Sequence, residues 1–220
     1  MPQVVCVNRK GRRVDVDFDD GSALRCDRDF LPARRLAAGQ EIESIFLDRL
    51  RRQAARHEAE RSALRWLTNR PRSRADLTRR LRAKQVPADV AEEALDALAE
   101  QGYLDDRAFA RSFVESRLRF RPRARAMLRA ELRAQGVDGA LADEATAEID
   151  DLELARTLVR EQLRRRGPLE ADHEAPQRDR LAALLQRRGF SHELAATAIR
   201  QVQATFEEED RTSGQPLPAP

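Results

Sequence analysis

The sequence predicts a mainly α protein: tandem three-helix-bundle repeats, three modules in all, preceded by a small N-terminal β-hairpin or meander domain. Two observations carry this. A helical apolar pattern recurs at spacings of 51 and 53 residues, with Leu81, Leu132 and Leu185 in corresponding places. A period that long, holding several helical segments, marks stacked modules rather than one globule. Before the repeats, Val14, Val16 and Phe18 alternate with Asp15 and Asp17, the period of a half-buried strand. Composition agrees. Apolar residues make up 41% but aromatics only 5%, charged residues reach 36% and mean hydropathy is −0.69. Aliphatic cores and much surface suit a row of small bundles, longer than it is wide.

The β domain is expected over residues 1–41. Val4, Val5 and Val7 form a first strand before Asn8-Arg-Lys-Gly11. Asp20-Gly21 turns the second strand into a third over Ser22–Cys26, and a short helix from Leu31 to Ala38 ends at Gly39. Such a meander needs a helix packed on it to be stable. Ile42, Ile45, Phe46 and Leu50 then give a helical stripe. Arg51–Ser62 is polar apart from alanine, so 42–62 reads as a solvent-bridging linker helix.

Three modules follow, over 63–104, 105–150 and 151–210. Besides the three leucines, the alignment matches Val86, Val137 and Phe190; Val90, Leu141 and Leu194; Ala94, Ala145 and Ala198; and Leu98, Ile149 and Val202. Gly136 and Gly189 stand where a helix ends in a left-handed cap. Gln85 replaces that glycine in the first module, and Pro87 is expected to break the helix instead. Pro87, Asp138 and Ser191 open the third helices. Ser73-Arg-Ala-Asp76 resembles a capping box. Arg70-Pro71-Arg72 and Arg121-Pro122-Arg123 mark the same corner, 51 residues apart. In the third module Gly167–Gln177 is a longer polar connection, and 211–220 has the composition of a disordered tail.

Net charge is only +3, so bulk charge does not announce a nucleic-acid binder. The distribution is more telling. Arg61–Lys84 holds nine bases and one acid, Asp76, and Arg117–Arg133 holds seven arginines against Glu131. Ala88–Asp106 and Asp138–Glu153 each carry seven acids and no base. The helix-one to helix-two regions are thus basic and the third helices acidic. Internal salt bridges and an external partner, phosphates or an acidic protein groove, are equally good accounts of this, because exposed pairs contribute only about 0–1 kcal/mol each and stability alone is a weak reason for segregation.

Asn69-Arg-Pro-Arg-Ser-Arg-Ala-Asp-Leu77 followed by Gly102-Tyr-Leu-Asp-Asp-Arg-Ala-Phe-Ala110 resembles the RecX family of RecA modulators. The likeness covers about Arg61 to Phe206. It implies three-helix repeats, binding to a RecA–DNA filament, and modulation, chiefly inhibition, of its ATPase, recombination and coprotease activities in DNA repair and SOS control. Single-stranded or duplex DNA is expected as a weak further partner. The residues expected to make filament contacts are Arg70, Arg72, Arg74, Arg79, Arg80 and Arg82, with Arg117, Arg119, Arg121, Arg123, Arg125 and Arg129. Guanidinium forks suit phosphates and carboxylates alike. Tyr103, Leu104, Asp105, Asp106, Phe109 and Phe113 are expected to hold the junction of modules one and two, with Asp105 or Asp106 capping the next helix.

Two other classes stay open: a sequence-specific helix-turn-helix regulator, and a scaffold that binds protein alone. The first is disfavoured because acidic third helices make poor recognition helices. No catalytic residue, metal site or cofactor is expected. No Gly-rich phosphate loop with its lysine occurs, and His57, His173 and His192 are scattered. Cys6 and Cys26 give neither ligand spacing nor a disulfide framework, and both are expected as buried thiols. MPQVVCVNRKG has no apolar leader core, and no run approaches a membrane span. A cytoplasmic, monomeric protein is expected.

Overall fold

The structure is a computed structural model describing residues 1–28, 36–166 and 174–213. The described elements are β1 (Val4–Lys10), β2 (Arg13–Phe18), β3 (Ala23–Asp27), α1 (Ser44–Asn69), α2 (Arg74–Ala83), α3 (Ala88–Glu100), α4 (Asp106–Phe120), α5 (Arg125–Ala134), α6 (Gly139–Thr146), α7 (Asp151–Arg166), α8 (Glu174–Arg187) and α9 (His192–Ser213). The chain divides into two compact units, Met1–Phe109 and Ala110–Pro220.

In the first unit the three strands form an antiparallel meander in the order β1-β2-β3. Asp20 and Gly21 make the second turn, where the Ser22 amide and hydroxyl both donate to the Asp20 carboxylate. These bonds hold that carboxyl below its ordinary pKa. Val14, Val16, Phe18, Leu24 and Cys26 face inward onto Leu47, Leu50 and Ala54 of α1, supplying the helix the meander needs. Gln3 bridges to Glu41, and Ile42 lies buried just before α1. The expected helix over Leu31–Ala38 falls largely outside the described residues; Leu36 onward is not helical, and Gly39 turns with φ 84°. Cys26 is buried as expected, whereas Cys6 is only half-buried. Burial, helped by the Asp15 charge, pushes the Cys26 thiol pKa up.

The N-terminal helix differs from the linker expected at 42–62. α1 is one helix of 26 residues whose first half covers the sheet and whose second half belongs to the first three-helix bundle. Its buried stripe is Leu47, Leu50, Ala54, Ala59, Ser62 and Ala63. Ile45 and Phe46, expected on that stripe, are 72% and 50% exposed. The polar middle does not bridge through solvent. Alanine's small side chain lets α3 lie close along α1, with Ala59 and Ala63 in one core with Ala91, Ala94 and Leu95.

Leu81, Leu132 and Leu185 are all fully buried, each anchoring the second helix of a bundle. In the third helices Val90, Ala94, Leu98, Ala198 and Val202 are buried as expected, together with Ala91 and Leu95, Ala142 and Thr146, and Ala195 and Ile199. Leu141, Leu194, Ala145 and Ile149, expected as core, are half-buried flanking positions. α6 stops at Thr146 after eight residues, against 13 in α3, which is why Ile149 falls beyond the helix. Asp138 and Ser191 cap α6 and α9 by accepting from Ala140 and Leu194 amides, and Pro87 stands at the start of α3. In the third bundle α8 begins at Glu174, so the end of the expected 167–177 connection is helical, while 167–173 lies outside the described residues. α9 runs to Ser213, past the expected start of the tail at 211; residues 214–220 are likewise outside.

The helix-two ends share one geometry. Val86, Val137 and Phe190 amides donate back to Leu81, Leu132 and Leu185 carbonyls, each at 3.1 Å. This closure needs a left-handed residue before it. Gly136 and Gly189 supply it at φ 79° and 89°, and Gln85 does so itself at φ 61°. Pro87 therefore does not replace the cap; Gln85 adopts it at a steric cost.

Two measurements follow from this packing. Thermal or urea unfolding of Leu132→Ala should show a loss of about 2–5 kcal/mol, the range for a buried leucine; an unchanged curve would place Leu132 outside the core. Gln85→Gly should stabilise the chain by up to about 1 kcal/mol and Gly136→Gln should destabilise it similarly; equal stabilities would mean position 85 is not left-handed in solution.

Candidate functional site

The basic clusters fall at two equivalent corners, where the first helix of a bundle turns into the second. Each corner is built around one carboxylate. In the first bundle Asp76 accepts from Arg72 at 2.8 Å and from Arg80 at 2.9 Å. Arg72, its side chain only 9% exposed, also donates to the Trp66 carbonyl at 3.2 Å. Arg80 and Lys84 lie over the Trp66 ring. The Asp76 amide donates to Ser73 Oγ at 3.2 Å, which caps α2 and holds the aspartate at the corner. Burial pushes the Asp76 carboxyl up, but the hydrogen bonds and charges of Arg80 and Arg72 outweigh it and hold the pKa below the ordinary range.

In the second bundle Glu131 plays this part, accepting from Arg117 at 2.9 Å and from Arg123. Arg117 also stacks over the Phe113 ring at 4.7 Å. The repeat aligns Arg123 with Arg72, but it aligns Glu131 with Arg80. The acid has moved along the helix while the pairing persists.

A second device joins successive helices. Asp105 caps α4, accepting from Arg107 and Ala108 amides, while Asp106 reaches the first amide of α2, at Arg74, at 2.7 Å. Asp150 and Asp151 repeat this: Asp150 caps α7 and Asp151 takes the Arg125 amide at 2.7 Å. Each Asp-Asp pair thus satisfies two helix N-termini, where carboxylates are favoured by free amides and dipole alike.

These pairings sort the twelve arginines. Arg72, Arg74, Arg80, Arg117, Arg123 and Arg129 are ion-paired within the fold, Arg74 to Asp96 and Arg129 to Asp143, both at 2.5 Å. Arg70, Arg82, Arg121 and Arg125 are exposed with no side-chain partner among the described residues. Arg79 is 63% exposed, touching Asp76 only at 3.5 Å. Arg119 lies over the Phe120 ring at 5.2 Å. Of the junction residues, Leu104 is buried, while Phe109 and Phe113 are half-buried. Tyr103, expected as structural, is 56% exposed, just after Gly102 with φ 75°.

Sequence reasoning missed two parts of the basic surface. Phe120, 71% exposed, ends α4 between Arg119 and Arg121. It stands at the last residue of that helix, with the Arg119 guanidinium over its ring. In the first unit Arg12, Arg13, Arg25 and Arg65 line a polar pocket of about 410 Å³ between the sheet and α1. Arg61, also there, is paired with the buried Asp27. Among the described residues no cluster suited to a metal ion occurs, and no helix is long and apolar enough to cross a membrane.

The chain matches the model for the first three-helix domain of RecX over residues 59–98 and for the second over 105–145. It is 40% identical over 147 residues to the regulatory protein RecX of Streptomyces coelicolor, covering 66% of this chain and 77% of that one. The RecX of Mycobacterium avium is 36% identical over 145 residues, covering 64% and 83%. A crystal structure of a RecX regulatory protein superposes with TM-score 0.62 at 22% identity, covering 91% of this chain and all of that one. RecX from Lactobacillus salivarius gives TM-score 0.58 at 20% identity, covering 68% and 97%. Those two likenesses bear on the fold.

The Asp76 pairing has a measurable pH signature. A depressed carboxyl contributes stability that is full above its unfolded pKa, about 4, and is lost as pH falls through the lower folded value. Asp76→Asn should therefore cost about 1–3 kcal/mol at pH 7, since Arg72 is left buried without its partner. Its stability should also fall less than wild type's between about pH 5 and 2. Parallel acid limbs for the two proteins would remove Asp76 from the account.

Proposed function

The chain belongs to the RecX family of regulatory proteins, and on that footing we propose that it binds the RecA–DNA filament and inhibits its ATPase, recombination and coprotease activities. It acts by occupancy, without catalysis or cofactor, in the cytoplasm, as a monomer. The observation that carries this reading is the division of the arginines. Six are consumed in close ion pairs, Arg79 touches Asp76 at 3.5 Å, and Arg70, Arg82, Arg119, Arg121 and Arg125 stand exposed without an acid partner among the described residues. Free guanidinium groups on a helical frame suit phosphates, and two such clusters on one chain add through multivalency. Phe120 among Arg119 and Arg121 adds a stacking surface of the kind that holds single-stranded bases. A sequence-specific DNA reader fits less well. Asp89 and Glu93 on α3 are engaged with Arg52 of α1, and this last helix presents acids where a recognition helix needs donors to bases.

The reading separates two sets of variants. Arg70→Glu with Arg82→Glu, or Arg119→Glu with Arg121→Glu and Arg125→Glu, should abolish inhibition of filament ATPase without changing the melting temperature. Arg72→Ala or Arg123→Ala should instead lower stability. Each arginine withdrawn from a phosphate should flatten the slope of log affinity against log salt by about 0.7 for a single strand. Intact inhibition by both exposed-set variants, or binding insensitive to salt, would contradict the proposal.

A further inference from the structure

The acidic side of the second unit holds a groove that the arginine chemistry does not use. α4, α6 and α7 line a cleft of about 920 Å³. It exists because α6 is short. In the first bundle the long third helix, α3, lies against α1; in the second, α6 packs on α5 and ends at Thr146. The chain then runs through Ala147–Asp150 into α7. Val114, Leu118, Ile149 and Leu154 are left as an apolar floor, Val114 buried and the others half-buried. The rim carries Glu115, Glu144, Glu148, Asp150 and Glu153; of these Glu144 pairs with Arg111 at 2.9 Å, Glu153 with Arg156, and Asp150 takes two amides of α7. Glu115 and Glu148 are exposed with no partner among the described residues.

We propose that this groove receives a basic amphipathic helix of a partner protein. An apolar floor between acidic walls is complementary to a helix with aliphatic residues on one face and Lys or Arg on its flanks. Nucleic acid is excluded by the rim's charge, and a free cation gains nothing from the apolar floor. The inference deepens the filament reading, on which it rests for the partner's identity. Exposed arginines take the nucleic acid, and the groove takes a protein subunit of the same filament. A partner with phosphate inside and protein outside would thus meet both signs of charge on this chain.

The test uses the full chain with methyl labels on Val, Leu and Ile. It is titrated with a helical peptide of about 14 residues, long enough to span some 21 Å, with leucines on one face and lysines flanking them. A second peptide has glutamate in place of lysine, and RecA without DNA is the third probe. The lysine peptide should shift Val114, Leu118, Ile149 and Leu154 methyls, and the glutamate peptide should not. Glu115→Lys with Glu148→Lys should weaken the lysine peptide and DNA-free RecA about tenfold, a change of about 1.4 kcal/mol, without weakening single-stranded DNA. Shifts elsewhere, shifts with both peptides, or undiminished binding by the variant would overturn the groove. So would methyl shifts that grow with the chain's own concentration, which would assign the groove to a second copy. If the peptide results hold but wild type binds RecA in no form, the filament reading fails and the groove stands.

Discussion

One carboxylate at each corner decides what the surface of this protein is. Asp76 and Glu131 each draw two arginines inward, and their side chains are only 20% exposed. Partly desolvated carboxylates must be paired, and Arg72, almost wholly buried, must be paired as well. Meeting both needs closes the corner between first and second helix. Of the arginines that remain, Arg79 only touches Asp76 at 3.5 Å, and Arg70, Arg82, Arg119, Arg121 and Arg125 have no acid partner among the described residues. The same ion pairs that hold the fold therefore decide which arginines are left unpaired. A sequence with nearly as many acids as bases leaves arginines unpaired only if its acids are committed elsewhere, as many are in the third helices and at the corner carboxylates.

The two aspartate pairs extend this logic along the chain. In Asp105-Asp106 and Asp150-Asp151 the first residue starts its own helix and the second caps a helix of the bundle before it. The carboxylates of both pairs are thereby bound to backbone amides. The acids left over, Glu115 and Glu148 among them, gather at the cleft beside α6. Basic and acidic surfaces in the second unit thus arise from separate causes, one from paired corners and the other from a shortened helix.

Much of this was legible in the sequence. The 51- and 53-residue spacings located three equivalent leucines, all fully buried, and the period of two located the meander. What was not legible has particular reasons. The alanines of α1 carry too weak a hydropathy signal to mark a buried stripe, although small size is what lets α3 pack there. Gln85 hid a left-handed cap because that backbone geometry can be held by a residue that ordinarily avoids it. The basic clusters were visible as clusters, but which arginine meets which acid depends on helix phase. Glu131 occupies the position of Arg80, so alignment alone predicts the wrong partner.

The division of the arginines is most directly tested by their own side-chain resonances. Guanidinium Nε–Hε signals of the full chain can be followed while single-stranded DNA, and then a RecA filament on that DNA, is added at moderate salt. The account predicts that Arg70, Arg82, Arg119, Arg121 and Arg125 shift or broaden, while the Arg72 and Arg123 signals stay where they are in the free protein. Uniform shifts across both sets, or shifts confined to the paired arginines, would contradict it.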